Sequence, residues 1–110
     1  MGTFYLKRND TRPVLEVALL NPDGTAFDLT GATTTRLHVR LQGGGVFVRD
    51  MTVYGVATAG ILRYTWLAAD WTTLVPGAHQ MEYEVLTGTA RITFPNDSYD
   101  TLRIPGDLGG

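Results

Sequence analysis

The run from Gly60 to Ile104 constrains this chain most. It reads GILRYTWLAADWTTLVPGAHQMEYEVLTGTARITFPNDSYDTLRI and holds alternating strand patterns, each closed by its own stop signal, with one short polar hop. Tyr64, Trp66, Met81, Tyr83, Val85, Ile92, Phe94, Leu102 and Ile104 fall on period-two positions. That layout describes antiparallel strands with one face in a core. It describes no active site.

The rest of the chain repeats the theme. Val14–Leu20 puts Leu15, Val17 and Leu19 on one face, with Pro13 just ahead, where a missing N–H does little harm. Asn21-Pro22-Asp23-Gly24 is a turn, because Pro presets φ and Gly supplies positive φ. A short piece, Ala26–Leu29, ends at Thr30-Gly31. Thr35–Gln42 has the cleanest alternation: Leu37, Val39 and Leu41 point one way, Arg36, His38 and Arg40 the other. Gly43-Gly44-Gly45 makes a hairpin tip, and Val46–Tyr54 returns as one strand. Ile61–Trp66, His79–Leu86, Ala90–Phe94 and Tyr99–Ile104 complete the set. Leu67–Leu74 breaks the alternation and fits one helical turn, with Asp70 free to bond nearby backbone N–H groups.

Seven or eight short strands, spaced about 8–12 residues apart with turn signals between them, predict an all-β sandwich or small barrel. At 110 residues the chain is a single domain. A chain of this size hides roughly 65% of its unfolded surface, so a core is feasible without staples. There are 16 Thr and one Ser, and Thr suits a half-exposed pleated surface. Eight Arg stand against one Lys, which fits either protein interfaces or a coding bias.

Composition excludes several chemistries. Without Cys there is no thiolate metal site and no Cys nucleophile. A net charge of −2 offers no basic surplus for a nucleic-acid backbone. No apolar run is long enough for a signal peptide or a membrane helix. His38 stands between Arg36 and Arg40, and two flanking cations oppose a metal there. Ser98 lacks the glycines of a nucleophile elbow. Glu82 and Glu84 share a strand face about 7 Å apart; a solvated face explains them better than acid–base work. His79 reads as a packed or capped corner residue. Trp66, Trp71, Tyr54, Tyr64, Tyr83 and Tyr99 raise the alternative of a carbohydrate-binding or adhesion module, with Trp71 as either an exposed platform or a lid on the core. No enzyme, metal or cofactor is expected.

The order of signals carries a resemblance. Asp10-Thr11-Arg12-Pro13 precedes the first strand. Asp23-Gly24-Thr25 and Asp28-Leu29-Thr30-Gly31-Ala32-Thr33 follow, ahead of Thr35–Gln42. Then come Gly60, Tyr64-Thr65-Trp66, Asp70, Pro76-Gly77, Glu82-Tyr83-Glu84-Val85, Thr93-Phe94-Pro95-Asn96-Asp97, and Tyr99 with Leu102 and Ile104. Over residues 9–104 the chain resembles the N-terminal immunoglobulin-like domain of phage baseplate upper proteins. One position departs: where the family usually has an aromatic two residues after the turn glycine, this chain has His79.

The resemblance implies an immunoglobulin-like sandwich in a tailed-phage virion: tail, baseplate, neck or fibre attachment. Such a protein would be made in the host cytoplasm and present in several copies or as a homo-oligomer. Its partners would be other virion proteins, without nucleic acid or membrane. No fibre, coiled-coil or receptor-binding extension follows the last strand, which points to a stand-alone small structural protein or one trimmed to the domain. Three contact regions are expected: residues 1–12 as an N-terminal arm with Phe4 and Tyr5, or else a strand of the chain's own sheet; the face of Arg36, His38 and Arg40; and the tips at Gly43–Gly45 and Asp97–Asp100. Trp71 completes the candidate contacts, and residues 106–110 read as a frayed tail.

Overall fold

A computed structural model describes residues 2–7, 9–95 and 99–106. Among these described residues nine strands follow in order: β1 (Thr3–Tyr5), β2 (Leu15–Ala18), β3 (Thr34–Arg40), β4 (Val46–Asp50), β5 (Thr52–Val53), β6 (Ile61–Tyr64), β7 (Gly77–Thr87), β8 (Ala90–Phe94) and β9 (Asp100–Ile104). Short 3-10 segments at Ala57–Ala59 and Ala68–Thr72 are the helical elements among the described residues. None is long and apolar enough to cross a membrane.

The strands form two sheets. One runs β1-β9-β7-β3-β4, with β8 also on β7; the other runs β2-β6-β5. The long strand β7 organises the larger sheet. One side pairs with β3, while β9 takes the N-terminal half of its other side and β8 the C-terminal half. Every pairing is antiparallel except β1 on β9. Thr3–Tyr5 is thus an edge strand of the chain's own sheet rather than a free arm.

Alternation built this core. Leu37 and Val39 of β3, Met81, Tyr83 and Val85 of β7, and Leu102 and Ile104 of β9 are buried from one sheet. Leu15, Leu62 and Tyr64 are buried from the other, and Trp66, Leu74, Leu6 and Leu29 fill the ends. Tyr64 meets Trp66 edge to face at 5.1 Å, and Phe27 meets Phe94 at 4.9 Å. The turn Asn21–Thr25 closes as read: Gly24 takes φ +89°, and the Asp23 carboxylate accepts the Thr25 N–H and hydroxyl.

The strand count rises to nine because Val46–Tyr54 is not one strand. Its first half pairs with β3 in the larger sheet, and its second with β6 in the smaller. Met51 is the crossing point. Its side chain is buried, its N–H donates to the Thr35 carbonyl, and its own carbonyl accepts the Thr35 hydroxyl. A buried Thr therefore holds the corner where the chain changes sheets.

Candidate docking face

The outward face of the six-stranded sheet gathers most of the exposed candidates. Register places Arg36, His38 and Arg40 of β3 beside Asp50, Val48 and Val46 of β4 and beside Glu84, Glu82 and Gln80 of β7. At the far edge Tyr5 lies next to Arg103. Tyr5 is 65% exposed, Val46 60% and Val48 38%. Arg40 is exposed and has no acidic partner among the described residues.

Glu84 departs from its expected solvated setting. It is buried on this face, because Arg36 (3.3 Å), His38 (3.4 Å) and Arg91 (3.1 Å) converge on its carboxylate and cover it. Arg36 also lies 3.7 Å from Asp50. Two of the three β3 polar side chains are therefore held in place rather than free. Sequence reading missed Glu84 and Arg91 as parts of this face. The signal lay in pairing between strands far apart in the chain.

The remaining candidates have internal duties. Phe4 is half-buried and packs against the core, 6.1 Å from Trp66. Trp71 is half-buried and donates its indole N–H to the Asp10 carbonyl, pinning the segment before β2. Asp100 accepts the Tyr83 hydroxyl at 2.8 Å and the Gly2 N–H at 2.9 Å, tying β7, β9 and the start of β1. Asp97 lies outside the described residues, as do residues 107–110 of the expected tail.

His79 is buried at the Pro76-Gly77 corner, where the resemblance faltered. Its Nδ1 accepts the Gln42 backbone N–H at 2.9 Å, so Nε2 carries the proton and donates to the Val75 carbonyl at 2.7 Å. The Gln42 side chain in turn accepts the Ala78 N–H. An imidazole thus closes this corner through two backbone groups.

Asp70 is the most enclosed ionisable side chain among the described residues. It is fully buried and accepts the Tyr64 hydroxyl (2.6 Å), the Leu67 N–H (2.9 Å) and Arg49 Nε (3.1 Å). Both buried tyrosines are held protonated above the ordinary phenol range. Desolvation is the main cause, and the carboxylate that each faces, Asp70 or Asp100, adds to it. Since the folded value is raised, the linked stability is whole below the ordinary phenol value of about 10 and is lost as pH climbs above it. Alkaline titration followed by phenolate absorbance should show Tyr64 and Tyr83 ionising only together with unfolding. Their ionisation in a still-folded chain would contradict these placements.

One open cleft, of about 490 Å³, lies beside the start of β3, where the chain passes from β4 to β5. Its charged lining residues, Arg36 and Asp50, face each other, and the Thr35 hydroxyl at its floor is committed to Met51. Among the described residues no cluster of three His, Asp or Glu is placed to hold a metal ion.

No family model and no curated protein matches the chain. Among solved structures it is similar to the N-terminal domain of phage TP901-1 ORF48. The TM-score is 0.61 at 15% identity, covering 94% of this chain and 82% of that one. The two share a fold: an all-β sandwich.

Proposed function

We propose that this chain is a non-enzymatic structural component of a tailed-phage virion, acting by docking on other virion proteins in several copies. The observation that carries the reading is a fold shared along nearly its whole length with a domain of a phage protein. The ordered motifs that resemble the baseplate upper protein domain support a place in the tail, baseplate, neck or fibre attachment. The outward face adds support: Tyr5 and Arg103 at one edge and Arg40 near the other are residue types that anchor interfaces, and Val46 and Val48 supply apolar area on the Arg40 side. The aromatic supply for a sugar platform is largely spent inside, with Trp66, Tyr64 and Tyr83 in the core.

Mass spectrometry of purified particles should find this chain, and its absence from them would sink the proposal. Tyr5→Asp combined with Arg40→Asp should cut incorporation about tenfold, the equivalent of about 1.4 kcal/mol of docking energy. Because both residues are exposed, the thermal transition of the isolated chain should stay within a few degrees of wild type.

A further inference from the structure

Strand β4 forms one edge of the larger sheet. Alternation decides which of its groups face outward. Met51 donates to the Thr35 carbonyl and Leu41 to the Gly45 carbonyl, so the odd-numbered residues of β4 bond β3. The N–H and C=O groups of Val46, Val48 and Asp50 therefore point away from the sheet. With two exposed valines and no Pro or Lys, such an edge is a template for another strand.

One of those carbonyls is already occupied. The Arg49 side chain starts on the core face and curls around the edge. Its Nη1 donates to the Val48 carbonyl at 2.8 Å, while its Nε is held by Asp70 at 3.1 Å. The guanidinium also sits 4.2 Å above the Phe47 ring. Because Asp70 is fully buried and bonded on its other oxygen, this anchor is fixed.

The edge beneath is complementary to itself. Antiparallel pairing with a second copy about a two-fold axis at Val48 sets Val48 against Val48 and Val46 against Asp50. Arg40 neighbours Val46 in the register, so Asp50 of one copy would stand two strand spacings, about 10 Å, from Arg40 of the other. Arg and Asp side chains together span that distance. Arg40 lacks an acidic partner among the described residues, and the Asp50 side chain is 87% exposed.

We infer that β4 is a latent self-pairing edge, and that Arg49, anchored by Asp70, keeps two copies of this chain apart. Sedimentation equilibrium of the full chain tests it. Arg49→Ala strips Asp70 of its counter-charge and risks the fold, so Arg49→Lys is the informative variant. It keeps a cation beside Asp70 but replaces the two-pronged donor with one ammonium, which gives up the Val48 carbonyl. Wild type should sediment as a monomer and Arg49→Lys at twice that mass. Adding Asp50→Arg should return the monomer, and adding Arg40→Asp as well should restore the dimer. A folded Arg49→Lys monomer, or a dimer indifferent to the charge at Asp50, overturns the inference.

Discussion

Gly60→Ala is expected to destabilise the chain by about 3–5 kcal/mol. Three backbone segments cross at this glycine. The Leu19 N–H donates to the Gly60 carbonyl, and the Phe27 N–H donates to the Leu19 carbonyl. A Cβ at Gly60 would stand 2.6 Å from the Phe27 carbonyl oxygen, 3.0 Å from that of Leu19 and 3.1 Å from the Phe27 nitrogen. All three are backbone atoms, and the Leu19 oxygen and Phe27 nitrogen are bonded to each other, so relief requires prising the chain after β2 from the turn after β5. Gly60 also has φ +69°, where an L residue pays about 1–2 kcal/mol on its own. Gly31→Ala separates the two effects. Gly31 has φ +85° but open space around its Cβ direction, so only the backbone cost applies. In a domain whose whole stability is about 5–15 kcal/mol, Gly60→Ala should lower Tm by about 15–25 °C, and Gly31→Ala by a third of that or less. Equal shifts for the two variants would show that the crossing at Gly60 yields.

That contrast also marks what the sequence could and could not show. Gly60 and Gly31 share a positive φ, which is a local property. The crossing above Gly60 is made by Leu19 and Phe27, roughly thirty to forty positions earlier, and has no local signature. The same division runs through the fold. Leu37, Val39, Met81, Tyr83 and Val85 were legible because alternation is local and one face was bound to be buried. The break of Val46–Tyr54 into two strands was not legible. No Gly or Pro marks Met51, and the corner depends on Thr35 reaching it from another strand.

The candidate face follows the same rule. The row of Arg36, His38 and Arg40 could be read from one strand. The burial of Glu84 beneath Arg36, His38 and Arg91 depends on three strands meeting in register. From sequence alone Phe4 and Tyr5 belong either to an arm or to a strand of the chain's own sheet. Once Thr3–Tyr5 pairs with β9, alternation divides them, sending Phe4 inward and Tyr5 to the outer face.

Asp70→Ala should be the most damaging change to a polar side chain, at about 3–4 kcal/mol. The local reading foresaw a bond from Asp70 to nearby backbone, and Leu67 N–H supplies it. Tyr64 and Arg49 arrive from other strands and turn a cap into a buried network. Alanine would leave the Tyr64 hydroxyl and the Leu67 N–H unpaired in the interior and remove the counter-charge of Arg49. The Arg49 side chain is 37% exposed, so its head can partly regain water, which holds the loss below that of a fully buried pair. Asp70→Asn should cost less, about 1–3 kcal/mol, since one amide oxygen can still accept from Tyr64 and Leu67 while its NH2 opposes the Arg49 donor. Tyr64→Phe should cost about 1–2 kcal/mol, and its effect should shrink in the Asp70→Ala background, because the partner it would lose is already gone. Urea unfolding of the four variants closes that cycle. A coupling energy near zero between Tyr64 and Asp70, or an Asp70→Ala variant within 1 kcal/mol of wild type, would mean that the alternating core holds the sandwich without this network.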